Sequence, residues 1–351
     1  MASEGFGPID KSFVQRLRVR FNRFFAQRNR LRRARESVAH HYDLSRAYYD
    51  LFPDADREYS CAYFVRGDET LEAAQAAKKR HIATKLLLKP GHDVLDIGSR
   101  WGALALDLAR TERAHVTGIT LSTEQLQATH ARASVAGLSD RARFELRDFR
   151  DEKGHYDPIV SVGMLEHVGK RDYSTFFQSV ARSLKPDGVA LVHSIGRMDP
   201  PGAADPWIDK YIFPGGYVPA LSEVIAAVEK AGLWITDVEG LRLHYAETLR
   251  LWLERFQARR NEAKEIYDER FFRMWKFYLA TSEAMFRSGT LMVFQIQLAH
   301  RRDAAPLTRD YIGDDQTPLF ETISAPQGPQ TSEPSPHLDS SPPDRMQRHG
   351  T

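Results

Sequence analysis

The sequence predicts an α/β fold with a mostly parallel sheet and helices on both faces. Two observations predict it: short apolar runs alternate with helical patterns, and a glycine turn joins the first run to a helix. Of the 351 residues, 42% are hydrophobic and 27% are charged, so the chain can bury a sizeable core. We expect one central domain over residues 39–312.

The apolar runs place the elements in chain order. Strands are predicted at residues 92–97, 115–121, 143–146, 158–162 and 189–195. Helices are predicted at 103–110 and 173–184, and a further helix follows the second strand and ends at residue 133. The elements that complete the domain are expected at 224–230, 233–241 and 292–298. Residues 205–288 are rich in aromatics and predict a helical insertion that lines an apolar cavity. Ordinary core packing is the alternative interpretation.

The two ends differ from this body. The first 40 residues hold ten basic and three acidic side chains, a net charge of +7 in a chain whose net charge is +2. Phenylalanines and leucines recur there at helical spacing, so residues 1–38 predict a basic amphipathic arm that contacts an anionic lipid surface through residues 11–35. A basic helix packed on the body and a disordered arm are the alternatives. Residues 313–351, rich in Pro and Ser, predict a disordered tail, for which a partner-docking role is the less favoured interpretation.

Composition excludes several classes of protein. The near-balanced charge argues against a nucleic-acid partner, and the single cysteine, Cys61, excludes a disulfide framework and a cysteine-based zinc site. The sequence has neither an apolar run of membrane-spanning length nor an apolar signal stretch. We expect a cytoplasmic protein and leave a homodimer open.

The glycine turn points to a ligand site. Residues 94–102 read VLDIGSRWG, in which glycines allow a ligand to approach the backbone and the next helix offers free N–H groups. A dinucleotide turn would read GxGxxG, with an acid about 20 residues further on, and neither feature is present. The DxGxxxG pattern instead resembles the class I, Rossmann-like methyltransferases that use S-adenosylmethionine (SAM).

Longer motifs narrow this resemblance. The chain carries HYDLS at 41–45, YSCAYF at 59–64, VTGITLS at 116–122, IVSVGMLEHVG at 159–169, LKPDG at 184–188, HSIG at 193–196 and WIDKYIFPGG at 207–216. Together they resemble the cyclopropane-fatty-acyl-phospholipid synthases and the related mycolic acid cyclopropane synthases and methyltransferases. The resemblance extends from about residue 40 to residue 311. Its short N-terminal arm departs from the longer bacterial phospholipid enzymes.

The resemblance implies a SAM site and a bicarbonate site. Residues matching the SAM-binding motifs are Tyr59, Ser60, Asp96, Gly98, Gly102, Thr120, Leu121, Gln125, Asp148, Phe149 and Arg150. Residues matching the bicarbonate ligands are Cys61, Glu166, His193, Ile195 (through its backbone) and Tyr245. It further implies transfer of a methyl group to the cis double bond of an unsaturated phospholipid acyl chain, with bicarbonate as the base that allows the ring to close. The aromatic insertion would then form a lipid pocket, and the enzyme would work at the inner face of the cell membrane.

Alternatives remain for the site and for the reaction. Taken singly, Cys61 would be a small buried group, His193 a core histidine and Glu166 an acid at a helix start. A methylene- or methyl-branched product is the second hypothesis. The third is a non-catalytic lipid- or SAM-binding homologue, because Arg100 stands where the family turn has glycine.

Overall fold

A computed structural model describes residues 46–203 and 205–314. All of them belong to the first of the two units into which the chain divides, Met1–Gln316 and Thr317–Thr351. The predicted arm and almost all of the predicted tail lie outside the described residues, so both stay predictions. No helix in the described ranges is long and apolar enough to cross a membrane.

Seven strands form one sheet in the order β3-β2-β1-β4-β5-β7-β6. They are β1 (Asp93–Ile97), β2 (His115–Thr120), β3 (Ala142–Leu146), β4 (Tyr156–Val162), β5 (Leu184–Arg197), β6 (Trp234–Gly240) and β7 (Leu291–Ala299). The first five pair in parallel, and β7 runs antiparallel between β5 and β6. The predicted mostly parallel α/β sheet is confirmed. Strand β5 is longer than predicted because the LKPDG segment continues the extended backbone.

Twelve α-helices occur in the described ranges. They are α1 (Arg46–Tyr49), α2 (Leu71–Lys85), α3 (Ala103–Thr111), α4 (Thr123–Val135), α5 (Leu165–Val168), α6 (Tyr173–Ser183), α7 (Pro206–Tyr211), α8 (Leu221–Lys230), α9 (His244–Ala258), α10 (Arg260–Ile266), α11 (Glu269–Ser288) and α12 (Asp310–Asp314). Side-chain caps fix several starts: Thr70, Ser122 and Asp268 each accept a hydrogen bond from a backbone N–H in the first turn.

The aromatic segment at 205–288 is not one continuous insertion. Helix α8 packs against α6, and β6 pairs with β7 at the edge of the sheet. The remaining helices, α7 and α9–α11, surround an aromatic core that also includes residues 48–64. Trp252 and Trp275 are buried there, which agrees with core packing for these two side chains. This aromatic core lies beside the carboxyl ends of β1, β4 and β5, where the clefts described below open.

Candidate active site

A cleft of about 500 Å³ opens at the carboxyl ends of β1, β2 and β4. In open α/β sheets, ligands bind at this edge of the sheet. Its walls are Ile97, Gly98, Arg100, Ile119, Thr120, Leu121, Gln125, Arg147, Asp148, Phe149, Gly163, Met164 and His167. Six of the predicted SAM-site residues therefore come together here, from four separate segments of the chain.

Polar side chains in this cleft are held in place by their neighbours. The Thr120 hydroxyl donates to Gln125 Oε1 at 2.8 Å, and the Ser122 cap fixes the turn that carries Gln125. The Asp148 carboxylate accepts the Arg150 backbone N–H at 2.9 Å and pairs with its guanidinium at 2.6 Å. Arg150 is not part of the cleft wall, so it holds Asp148 in place.

A second cleft of about 390 Å³ adjoins the first, and the two share Gly98 and Arg100. Its walls are Arg57, Glu58, Tyr59, Ser60, Lys78, Asp96, Gly98, Ser99, Arg100, Trp101, Ala103, Leu104 and Val162. Tyr59, Ser60 and Asp96, three of the predicted SAM-site residues, are among them. The two clefts together are lined by all of the residues that match the SAM-binding motifs except Gly102 and Arg150.

Gly102 is placed differently. It lines neither cleft and caps helix α3 at φ 76°. A Cβ atom at this position would lie 2.9 Å from Thr129 Cγ2 and 3.0 Å from Phe144 Cζ. Glycine at 102 therefore serves the close packing of this turn against α4 and β3.

The Arg100 side chain bridges the two walls of the clefts. Its guanidinium donates to the Tyr59 carbonyl at 2.5 Å and to the Gly163 carbonyl at 2.7 Å. Arg100 has φ 50°, a left-handed conformation that costs a non-glycine residue about 1–2 kcal/mol. Gly163 leaves room for the guanidinium, because a Cβ there would lie 2.5 Å from Arg100 Nη2. Arg100 thus turns inward onto two backbone carbonyls.

A buried ion pair supports the second cleft. Lys78 on α2 pairs with Glu58, and both side chains are almost inaccessible to solvent. The ammonium also donates to the Ser60 hydroxyl at 2.9 Å, and the Gln75 amide donates to the Ser60 carbonyl at 3.0 Å. This network fixes the backbone that carries Tyr59, Ser60 and Cys61. A buried pair of this kind is costly to break at one partner, which favours a single arrangement of the segment.

Asp96 has an unusual pKa. Burial, with the nearby charge of Glu58, raises the pKa of Asp96 to about 7, although Arg100 and Lys78 lower it. Glu58 remains ionised, since Lys78 keeps its pKa below the usual range against the opposing effect of burial. The second cleft therefore offers one fixed and one titratable carboxylate to a cationic ligand.

The five predicted bicarbonate ligands line neither cleft. Glu166 Oε1 accepts the Ile195 backbone N–H at 2.7 Å, and within the described residues its Oε2 is buried with no hydrogen-bond partner. Burial raises the pKa of the Tyr245 phenol, and the neighbouring Tyr278, Cys61 and Glu166 side chains raise it further. The Cys61 thiol donates to the Ala62 carbonyl at 3.3 Å. These contacts bring Cys61, Glu166, Ile195 and Tyr245 together.

His193 lies in the same strand as Ile195 and is held by β7. Its Nδ1 is 3.2 Å from the Gln295 amide nitrogen, and when that amide donates, the neutral ring carries its proton on Nε2. Burial and the nearby Lys78 and Arg100 charges lower the pKa of His193 to about 3. The imidazole is therefore neutral at physiological pH.

The electrostatics of this cluster favour an anion. Burial raises the pKa of Tyr245 and of Cys61 above values that are already basic, so both groups keep their protons at neutral pH, and burial also raises the pKa of Glu166. Neutral O–H and N–H groups can donate to an anion without charge repulsion. Lys78 and Arg100 supply positive charge close by, since both lower the pKa of His193. A small anion is the ligand that this arrangement suits.

Aromatic rings form the wall next to the cluster. The Tyr59 ring stacks on Trp252 at 5.0 Å between centroids, and the Tyr59 and Tyr278 hydroxyls hydrogen-bond at 3.1 Å. Tyr278 contacts Phe213 at 5.9 Å, edge to face, and Tyr245 contacts Phe286 at 4.7 Å. Such a wall excludes water and offers ring faces to a cation.

Sequence reasoning missed several residues of the site. Glu58, Lys78, Met164 and His167 all line the clefts. Glu58 directly precedes the YSCAYF motif, and Met164 and His167 belong to a motif already singled out, so those three had a local signal. Lys78 had none, because a lysine on a helix is usually solvated.

Comparison with known proteins gives consistent matches. The model of the mycolic acid cyclopropane synthetase family matches residues 29–296. The chain is 40% identical over 256 residues to the cyclopropane-fatty-acyl-phospholipid synthase of Escherichia coli, covering 73% of this chain and 65% of that protein. It is 41% identical over 275 residues to the tuberculostearic acid methyltransferase UfaA1 of Mycobacterium tuberculosis, covering 75% and 64%. The chain spans about two thirds of the length of these two relatives.

Solved structures agree with the described architecture. The cyclopropane synthase MmaA2 from Mycobacterium tuberculosis aligns with a TM-score of 0.72 and 35% identity, covering 76% of this chain and 98% of that one. The mycolic acid cyclopropane synthase CmaA1, complexed with SAH and CTAB, aligns with a TM-score of 0.71 and 34% identity, covering 75% and 97%. Coclaurine N-methyltransferase, at 19% identity, shares the fold alone, with a TM-score of 0.67. The predicted class I methyltransferase fold is confirmed.

Proposed function

The chain belongs to the mycolic acid cyclopropane synthetase family, and from this premise we propose that it converts the cis double bond of an unsaturated phospholipid acyl chain into a cyclopropane ring. Membership confirms the predicted family, and the chain is an enzyme of the cyclopropane synthase type. The observation that carries the proposal is the buried cluster of neutral donors around Glu166, between the clefts and the aromatic wall.

The clefts fit SAM by the chemistry of their walls. Glu58 and Asp96 suit the ammonium group of the amino-acid end, while Ser60 offers a fixed hydroxyl. Thr120, Gln125 and Asp148 offer polar groups for a nucleoside, beside the apolar Ile119, Leu121 and Phe149. When bound, SAM supplies an electrophilic methyl group.

The residues around the acyl chain would do three things. The aromatic wall would hold the double bond in line with the methyl group, because an alkene is a weak nucleophile and needs near-attack geometry. Ring faces, Tyr59 and Tyr245 among them, would stabilise the carbocation that methyl transfer leaves on the chain. Exclusion of water would prevent capture of that cation before a proton is lost.

The donor cluster fits a bicarbonate ion as base. The Tyr245 hydroxyl, His193 Nε2 and the Ile195 segment would orient the anion, beside the unpartnered Oε2 of Glu166. Bicarbonate, when bound, would accept the proton that the new methyl group must lose for the ring to close. The Cys61 thiol, bonded to the Ala62 carbonyl, acts here as a packing neighbour unless the anion displaces that bond.

Two other outcomes follow from the same site. A 1,2-hydride shift in the cation, followed by loss of a proton from the new methyl group, would give a methylene-branched chain, and loss of a proton from a neighbouring chain carbon would give a methyl-branched alkene. The similarity to a tuberculostearic acid methyltransferase favours this as the second candidate. A non-catalytic homologue is the third, because Arg100 would have to leave the Tyr59 and Gly163 carbonyls if SAM needs them.

We also propose where the enzyme works. The basic arm would hold it to anionic lipid headgroups through residues 11–35, peripherally at the cytoplasmic face of the cell membrane. Net charge supports this, since the arm carries +7 and the remainder of the chain −5.

The test is to express the protein in cells with cis-unsaturated phospholipids and to analyse the fatty acid methyl esters. The cyclopropane proposal expects each modified chain to gain the mass of one CH₂. Under mild conditions the modified chain should resist hydrogenation to a methyl-branched product. A Tyr245→Phe variant of equal abundance is the matched control. Folded wild-type protein with no mass gain would refute the proposal.

A further inference from the structure

One face of the molecule combines exposed aromatic and basic side chains. Phe277 is 53% exposed and Tyr211 is 44% exposed, which is unusual for rings of this size. The Trp207 ring contacts Phe277 at 5.0 Å and Tyr211 at 5.7 Å, which joins α7 to α11. The basic–aromatic face, as we call it, consists of Trp207, Lys210, Tyr211, Arg270, Arg273, Lys276 and Phe277.

The basic side chains of this face are close to its rings and to one another. The Lys210 ammonium lies 4.7 Å from the centroid of the Tyr211 ring, and Lys210 together with Arg270 lowers the pKa of that phenol. Arg270, Arg273, Lys276 and Phe277 are exposed and follow each other at three- and four-residue spacing, so they share one side of α11.

Charge pairing separates this face from its surroundings. Elsewhere on α9–α11 the exposed arginines are paired: Arg260 with Glu269 at 2.9 Å, and Arg287 with Glu247 and Glu283, both at 2.9 Å. Across the described residues, by contrast, Lys210, Arg270, Arg273 and Lys276 form no ion pair. The nearby acids are engaged with backbone: Asp205 caps α7, and Asp209 accepts the Gly215 N–H at 2.8 Å. Four positive charges are thus available to an anionic partner.

The face also lies at the outer end of the aromatic wall. Phe277, exposed, adjoins Tyr278, which is buried and contacts both Phe213 and Tyr59. Helix α11 thus carries a ring of the basic–aromatic face at the surface and, at the next residue, a ring of the aromatic wall in the interior.

We propose that the basic–aromatic face docks on the surface of an anionic lipid bilayer and lets an acyl chain enter between α7 and α11. Exposed Tyr and Phe and a half-buried Trp beside lysines and arginines suit the headgroup region of a bilayer, where rings lie near the acyl boundary and cations near phosphates. An acidic protein would match the charges and would leave the three rings without a comparable apolar layer. The inference rests on the proposed function. It adds a second membrane contact beside the one proposed for the arm.

The test compares two charge reversals of equal size in the full-length protein. Arg273→Glu with Lys276→Glu changes the face, and Arg143→Glu with Lys153→Glu changes exposed, unpaired basic residues near β3. Co-sedimentation with dioleoyl phosphatidylglycerol–phosphatidylcholine vesicles at low salt should weaken about tenfold or more for the first pair and less than twofold for the second. Equal binding by the two double variants would overturn the proposal.

A second measurement locates the face without reversing a charge. Lipids brominated on their acyl chains should quench tryptophan fluorescence of the vesicle-bound protein, and Trp207→Phe should remove most of that quenching. Quenching as strong in Trp207→Phe as in the wild type would place Trp207 outside the bilayer and overturn the proposal.

Activity separates this inference from the proposed function. All variants should methylate the same lipid equally well in non-ionic detergent micelles, where no anionic bilayer is present. If neither the wild type nor any variant forms product in micelles, the proposed function fails. Vesicle binding still reports on the basic–aromatic face in that case. If Arg273→Glu with Lys276→Glu binds vesicles normally and loses turnover only for acyl chains on an acidic carrier protein, the face serves a protein partner and the bilayer proposal is overturned.

Discussion

Replacing Arg100 with glycine tests how this chain tolerates a charged side chain in its cofactor turn. The change relieves a left-handed arginine at φ 50°, worth about 1–2 kcal/mol. It also removes two hydrogen bonds from a guanidinium to the Tyr59 and Gly163 carbonyls, worth about 1.5–3 kcal/mol each. The free energy of unfolding should therefore fall by roughly 1–5 kcal/mol.

The assay is denaturant unfolding of the wild type, Arg100→Gly and Arg100→Lys at pH 7. The lysine variant keeps the positive charge and the strained backbone but can no longer bridge both carbonyls, so it should also lose stability. Calorimetry with SAM on the same proteins reads binding separately. Unchanged or increased stability of Arg100→Gly would refute the bridging role. If only Arg100→Gly binds SAM and turns over lipid, the result would favour the interpretation of the wild-type chain as a non-catalytic homologue.

Three further predictions concern the site and the arm. SAM should bind more tightly as the pH rises from 6 to 8, because ionised Asp96, with a pKa of about 7, attracts the ammonium group of the amino-acid end. Calorimetry should show that Asp96→Asn flattens this profile, and an unchanged slope would exclude Asp96. Folding raises the pKa of Asp96 from 3.8, so its contribution to stability is full below pH 3.8 and is lost as the pH rises through about 7. Tyr245→Phe should lower kcat on lipid roughly 10²- to 10³-fold with SAM affinity unchanged, and a loss below twofold would remove Tyr245 from the donor cluster. Deleting residues 1–35 should weaken sedimentation with anionic vesicles, as should salt with the intact protein, whereas salt-insensitive binding would refute an electrostatic arm.

The sheet could be predicted from sequence because its strands are buried. Val94, Leu95 and Ile97 in β1, like Val189–Val192 in β5, form apolar runs bounded by turn residues, and helices flank them on both sides. In a parallel sheet the turns that follow the strands lie at the same edge, so the order of the elements along the chain predicted which turns meet there. Several predicted SAM-site residues do line the two clefts for this reason.

Helix α2 shows what local pattern could not supply. It buries Lys78, Lys79 and Lys85 through ion pairs with Glu58, Asp56 and Asp237, so charged residues occupy positions that an amphipathic pattern gives to apolar ones. Only tertiary contacts with residues 56–58 and with β6 make such burial tolerable. The support that α2 gives to Ser60 could not be predicted from the sequence for the same reason.

Arg100 and Arg150 illustrate a second limit. The sequence showed that glycine was missing at 100 but could not say whether the side chain faced ligand, backbone or solvent. In the structure it faces two backbone carbonyls from distant segments. Arg150 lies in a matching motif, yet its contact is with Asp148 and not with the cleft. Side-chain direction depends on neighbours that are remote in sequence, and a motif alone does not supply it.

The central claim is that this site methylates an unsaturated phospholipid acyl chain and closes a ring. Mass spectrometry of lipid incubated with purified protein, SAM and bicarbonate tests it most directly. The account predicts phospholipid chains heavier by one CH₂, with cyclopropane proton signals by NMR, and a rate that falls when bicarbonate is removed. Chains of unchanged mass, in the presence of folded protein that binds SAM, would contradict it.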